Sequence, residues 1–274
     1  LEENKGLKSI LEKIGLPFQY SNIEIEDGDN EKEIWSIFQT LEKNILDIEE
    51  DEIELCLDIT HSFRYLPMLG LVLVDYLRSF KNITITNILY GNFEKGKLDN
   101  NESPIIDLTS FSELQSWASV SNEFVNLGES KNFEKVSKHK ELSKQLDDLV
   151  KSIRTSRGKN IVYDFKFDEL KEKIKTAKEE KAPNQQQIKR VLEKIEEKIE
   201  EFKKNDIRNG FIAVEWCIQY SLVQQGYTLL QETLKTWLLS KVMSNQDEIL
   251  NYEYRKLAEP ALKGTAKNGK ECWR

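Results

Sequence analysis

The sequence predicts an α/β domain with a parallel-sheet core, followed by a long α-helical region. Three observations carry this. A hydrophobic strand pattern, Glu52–Ile59, leads into an apolar helical stretch reaching about Phe80, and then into a β-branched run, Asn82–Tyr90. A strand–helix–strand unit of that length favours a parallel crossover. From Lys138 onward the apolar residues recur at helical spacing instead. The third observation is an abrupt cluster of polar residues where the first strong strand gives way to its helix.

Taken in order, Leu7, Ile10, Leu11 and Ile14 share a helical face that Gly15 and Pro17 end. Tyr20–Glu26 alternates like a strand, and Asp27-Gly28-Asp29-Asn30 reads as a turn. Ile34, Ile37, Phe38, Leu41 and Ile45 then mark a helix to about Ile48. Glu52–Ile59 is expected as a buried strand, its helix starting near Phe63–Leu66, and Gly91 ends the next strand. Pro104–Leu108 is a short apolar run, and Ser112–Leu127 is helical up to Gly128.

Lys138–Ser156, Asp168–Glu180 and Gln185–Lys204 read as further helices, the last with a stripe of Ile188, Val191, Leu192, Ile195 and Ile199. Phe211–Leu239 reads as one long helix. Trp216, Tyr220, Val223, Tyr227, Leu230, Leu234 and Trp237 are expected to face a second core, and no element is evident from Pro260. The predicted organisation is a Rossmann-like domain over 1–136, a helical linker over 137–204 and a second helical domain over 205–274.

Of the 274 residues, 39% are hydrophobic and 32% charged, as in a folded protein rich in helical surface, and the formal net charge is -8. That sign argues against coating double-stranded DNA, which requires a positive field. Cys56, Cys217 and Cys272 form neither a disulfide framework nor a zinc spacing, and the first two are expected as buried thiols. The histidines are His61 and His139, too few for a histidine-built centre, so no metal and no cofactor is expected. The most apolar stretch, Leu66–Leu77, is too short to span a bilayer, and a cytoplasmic protein without a membrane partner is expected. Because Leu1 falls inside a helical pattern, the native protein is expected to begin earlier.

The candidate site is Asp58–Arg64. In open α/β sheets, ligands bind beyond the carboxyl ends of the strands, and a helix N-terminus favours an anion. Thr60 and Ser62 can bond phosphate, sugar or base edges. His61 can donate, and Arg64 can form a forked contact with phosphate. Asp58 would repel phosphate, so it is expected to orient the loop or accept from a donor. Asn30, Tyr90 and Gly91 are outer-rim candidates, each with a packing or turn role as the competing explanation, and Asp107 is similarly ambiguous.

At Asp58-Ile59-Thr60-His61-Ser62-Phe63-Arg64 the sequence resembles the DxTHG-type CRISPR-associated proteins of the Csx1/Csm6 group, in its TM1812-like branch, with Ser62 where glycine is usual. Asp27-Gly28, Glu33-Ile34-Trp35, Leu89-Tyr90-Gly91 and Pro104–Thr109 extend the resemblance across most of residues 20–130. It implies a CARF domain, a CRISPR-associated Rossmann fold that senses cyclic oligoadenylate, usually as a homodimer. Against the family pattern, an early strand before Leu1 is missing.

Ala213–Ile218, Leu222–Tyr227 and Leu230–Glu232 resemble the opening of the HEPN-like domain of that branch, which implies cleavage of single-stranded RNA by paired Arg and His motifs. Arg208-Asn209 is similar to the motif start, but no histidine follows His139. Arginine can stabilise phosphate charge but cannot efficiently move the proton, so no catalytic residue is assigned and a complete RNase centre is not expected in this chain. Three functions follow: a cyclic-oligoadenylate sensor with an HEPN-like effector region, a ring nuclease that cleaves the same ligand, or a non-catalytic regulatory or dimerisation protein.

Overall fold

The computed structural model describes residues 14, 21–92, 95, 103–133, 139–181 and 184–262. The chain divides into two compact units, Leu1–Ile106 and Asp107–Arg274.

In the first unit, helix α1 (Glu31–Leu46) starts at Asn30, whose side chain accepts from the Glu33 amide at 3.1 Å. Glu33 reaches back to the amides of Gly28 and Asp29 at 3.1 and 2.9 Å. This reciprocal cap satisfies donors that a helix start leaves open. Strand β1 (Glu52–Asp58) leads through a turn to α2 (Leu66–Leu77), and β2 (Asn82–Gly91) returns parallel to β1. The short strand β3 (Ile105–Asp107) completes the sheet in the order β1-β2-β3.

One face of this sheet is covered. Ile53 and Ile83 pack with Phe38 of α1 and Leu73, Val74 and Leu77 of α2. The alternating partners Glu52, Glu54 and Cys56 on β1, and Thr84 and Thr86 on β2, are exposed. Cys56 is therefore not the buried thiol expected from its strand pattern; it belongs to the uncovered face. Residues 21–26 form no strand, although their alternation suggested one. Ile23 and Ile25 stay more than a third exposed, and alternation alone does not make a strand without a ladder to join. The predicted opening helix lies outside the described residues except at Ile14, as do Cys272 and the tail beyond Leu262.

The second unit is helical: α3 (Thr109–Asn122), continued by a π-helical turn at Glu123–Leu127, then α4 (Lys140–Arg154), a second π-helical turn at Asn160–Asp164, α5 (Phe167–Lys178), α6 (Gln185–Ile199), α7 (Arg208–Gln219), α8 (Val223–Ser240), α9 (Gln246–Leu250) and α10 (Tyr252–Leu262). Phe124 sits at its centre, fully buried, edge-on to Phe133 and Trp216 at 5.9 and 5.4 Å. Leu146, Leu149, Ile174, Leu192 and Ile195 belong to the same continuous core.

That core explains why the compact units part at Ile106 rather than near residue 136. Trp117, Val120, Phe124 and Phe133 all bury into the helical core. The segment 137–204, read as a linker, supplies much of that core. Pro260, where no element was evident, lies inside α10.

Phe211–Leu239 is two helices, not one. Ser221 takes φ 57, the Leu222 amide donates to the Cys217 carbonyl at 2.8 Å, and the Ser221 amide donates to that of Ile218 at 3.3 Å. This is a Schellman stop built on serine where glycine is usual, which is why the sequence did not announce it. The break resets the helical phase. Trp216 goes into the core with Tyr220 packed against it, but α8 buries Gly226, Leu229, Thr233, Thr236 and Leu239; of the expected row, Leu230 packs part-buried against the core while Val223, Tyr227 and Trp237 stay exposed.

Candidate functional site

Parallel pairing brings the carboxyl ends of β1 and β2 to the same edge of the sheet, with Asp58 in register with Leu89. Three residues fix the loop there. The Thr60 amide donates to the Asp58 carboxylate at 2.9 Å, closing an Asx turn. The Gly91 amide donates to the Thr60 hydroxyl oxygen at 2.8 Å. A Cβ at Gly91 would come within 2.9 Å of Thr60 Cγ2, so glycine lets the strand end approach the loop this closely.

The hydroxyl and then the amide of Thr60 hold the Asp58 carboxyl below its usual range; burial opposes this slightly, and the charge of His61 adds to it. Asp58 is thus an ionised acceptor engaged by its own loop. The geometry gives it the orienting role rather than the phosphate-facing one.

The same loop continues through Ser62, whose hydroxyl donates to the Ile59 carbonyl at 2.9 Å. His61 and Arg64 are exposed, and Ser62, Thr60, Tyr90 and Gly91 are half-buried. Neither basic side chain is sealed in the hydrophobic interior. The sequence neighbours of Arg64, Phe63 and Tyr65, stack their rings with centroids 5.9 Å apart.

The start of α2 contributes less than expected. The Leu66 amide is used by the Phe63 carbonyl at 3.0 Å, and Pro67 has no amide hydrogen to offer. Anion attraction at this edge therefore depends on side chains more than on free helix amides.

Asn30 is placed differently from the other candidates. Its amide nitrogen donates to Glu33 at 2.5 Å while its oxygen caps α1, so both polar ends serve the helix. Asp107 is similarly engaged, accepting from the Thr109 amide at 2.8 Å at the start of α3.

Sequence reasoning passed over Tyr65 and Gly28. The Tyr65 hydroxyl donates to the Asp27 carbonyl at 3.0 Å, and a Cβ on Gly28 would fall within 2.0 Å of that hydroxyl oxygen. Gly28 also holds φ 79, which disfavours any side chain. This contact ties the 27–30 turn to the Asp58–Arg64 loop. The aromatic pair flanking Arg64 was the available signal.

Among the described residues no cluster of three or more His, Cys, Asp or Glu is arranged to hold a metal ion. No helix of the described residues is long and apolar enough to cross a membrane. In the helical unit, Arg208 is held in a forked ion pair with Asp206, at 3.0 and 2.9 Å from its Nε. Asn209 is fully buried and bridges the chain, donating to the carbonyls of Ile161 and Lys203 at 3.2 and 2.6 Å. His139 pairs with Glu180 at 3.2 Å.

Residues 10–94 match the model for the CARF domain of the CRISPR system endoribonuclease Csx1. That span contains the whole rim, from Gly28 to Gly91. That part of the chain is similar to a Csx1 CARF domain. The chain is also similar to the CRISPR-associated protein MJ1674 of Methanocaldococcus jannaschii, at 26% identity over 239 residues. That similarity covers 85% of this chain and 36% of the relative, so the chain spans little more than a third of that relative's length. The relative's likeness extends beyond the CARF match, since 239 residues cannot fit within 10–94.

Proposed function

We propose that this chain is a CRISPR-associated sensor that binds cyclic oligoadenylate at the strand-end rim, as a homodimer, with its helical unit serving as an HEPN-like effector region. The observation that carries the reading is a pair of exposed basic side chains, His61 and Arg64, on a loop locked by Asp58, Thr60 and Gly91 at the carboxyl ends of two parallel strands. A locked loop lowers the ordering cost of binding. Arg64 supplies a charge-assisted fork for a phosphate, and His61 donates beside it. Phe63, half exposed, offers an aromatic face at the same place. Two copies around one symmetric ring would double these contacts.

The RNA-directed part of the proposal does not rest on Arg208. Arg208 is engaged by Asp206, and no imidazole follows His139 to move the proton.

Titration calorimetry of the folded protein with cyclic tetra-adenylate and cyclic hexa-adenylate tests the sensor reading. Saturable binding of one ring per two chains is expected, and binding of neither ring contradicts it. Mass spectrometry of the ligand after binding distinguishes a sensor, which leaves the ring intact, from a ring nuclease, which yields linear products.

A further inference from the structure

Helices α1 and α2 both pack on the covered face of the sheet, through Phe38 and through Leu73, Val74 and Leu77. Their packing on each other is incomplete. An open cavity of about 300 Å³ lies between them, lined by Ile34, Trp35 and Phe38 of α1 and Met68, Leu69 and Val72 of α2. Met68 and Val72 stay 70% and 57% exposed beside it. Apolar contact alone therefore leaves the spacing of the two helix starts loosely fixed. A polar contact spans the gap: the Tyr65 hydroxyl donates to the Asp27 carbonyl at 3.0 Å, across 38 residues of sequence.

Both ends of that contact are anchored. Asp27 belongs to the turn that Glu33 ties to α1 through the amides of Gly28 and Asp29. The Tyr65 carbonyl accepts from the Leu69 amide at 3.0 Å, which builds the tyrosine into the start of α2. Gly28 makes room for the ring. It holds φ 79, and a Cβ there would come within 2.6 Å of Tyr65 Cζ. Backbone and ring each demand glycine at this position.

Tyr65 also adjoins the exposed groups of the rim. The Phe63 ring, 51% exposed, lies parallel to the Tyr65 ring, with 4° between their planes. Arg64 joins the two residues in the chain. The near end of this loop is fixed by Thr60 on Asp58 and by Gly91 on Thr60. Tyr65 fixes the far end. With both ends held, the loop loses little further freedom when a ligand arrives.

We infer that Tyr65 is a positioning residue of the rim: its hydroxyl, seated on the Asp27 carbonyl, holds Phe63 and Arg64 where the base and phosphate of a nucleotide meet them. This role rests on the sensor reading proposed above, and adds to it a residue that acts through its neighbours. Without the hydroxyl the ring stack remains, but the loop's far end is released from α1.

Calorimetry of Tyr65→Phe with cyclic tetra-adenylate and cyclic hexa-adenylate tests this. Loss of one neutral hydrogen bond is expected to weaken binding of the ring that the wild-type chain takes by roughly twofold to tenfold, with the circular dichroism unchanged. Gly28→Ala displaces the same hydroxyl from the other side. A similar loss is expected from it, and no further loss in the double variant, because both break one contact. In an Arg64→Ala background Tyr65→Phe is expected to cost less, since the group it positions is gone; a purely structural role would cost the same in both backgrounds. Wild-type affinity in Tyr65→Phe, or an equal cost in the two backgrounds, overturns the role of Tyr65 and leaves the sensor reading standing. A wild-type chain that binds neither ring overturns the sensor reading, and this role with it.

Discussion

The two units of this protein bury apolar surface in different ways. The helical unit closes around a single core in which Phe124, Phe133, Trp216 and Leu192 meet from helices far apart in sequence. The α/β unit packs α1 and α2 on one side of a short sheet and leaves Glu52, Glu54, Cys56, Thr84 and Thr86 exposed on the other. Parallel sheets are ordinarily covered on both faces. The candidate ligand rim lies on this thinner unit, where regularity comes from polar locks: Thr60 on Asp58, Gly91 on Thr60, Tyr65 on Asp27. Loops that must receive a ligand are drawn from parts of a protein with less buried support.

The largest expected effect is Phe124→Ala. Removing a fully buried ring at the meeting point of the helical core costs that unit about 3–5 kcal/mol, read by chemical denaturation, while the rim keeps its nucleotide affinity. Leu77→Ala in the α/β unit costs about 2–5 kcal/mol and is expected to reduce nucleotide binding as well, because α2 holds the far end of the rim's loop. Equal effects of the two substitutions on binding would erase the contrast between the units.

Gly210→Ala is the next test. The new Cβ meets Thr233 Oγ1 at 2.3 Å and Cγ2 at 2.6 Å, both on a stiff β-branched side chain. Overpacking of about 1–3 kcal/mol is expected, seen as a lower melting temperature of the helical unit.

A smaller effect concerns pH. Burial pushes the Glu232 carboxyl up, but its hydrogen bonds and ion pairs with Arg255 and Lys235 outweigh burial and hold it below the usual range. A carboxyl lowered in the folded state contributes stability that is present above its unfolded pKa and lost as pH falls through the folded one. Glu232→Gln is expected to flatten the acid-side loss of thermal stability of the helical unit. An unchanged acid profile would show that the pair does not stabilise this unit.

Much of this was legible in the residues. The strand–helix–strand pattern of Glu52–Tyr90 and the amphipathic rows of α4 to α6 placed those elements within a few residues. The Asp58–Arg64 cluster stood out because polar residues interrupt an apolar run. Two kinds of feature were not legible. Ser221 stops a helix in a conformation usually reserved for glycine, so the sequence read as continuous and Val223, Tyr227 and Trp237 were assigned to the core although they stay exposed. Cys56 and Ile23 show the other: periodicity reports which residues alternate, not whether anything covers them. In the site, Tyr65 went unread because its part is a contact with Asp27, 38 residues away.

The central claim, that the rim at the end of β1 receives an anionic nucleotide, is tested most directly by calorimetry on Arg64→Ala. A charge-assisted contact contributes about 1.5–3 kcal/mol, so the affinity for cyclic oligoadenylate is predicted to fall roughly tenfold to a hundredfold with the fold intact. Wild-type affinity in that variant would contradict the account.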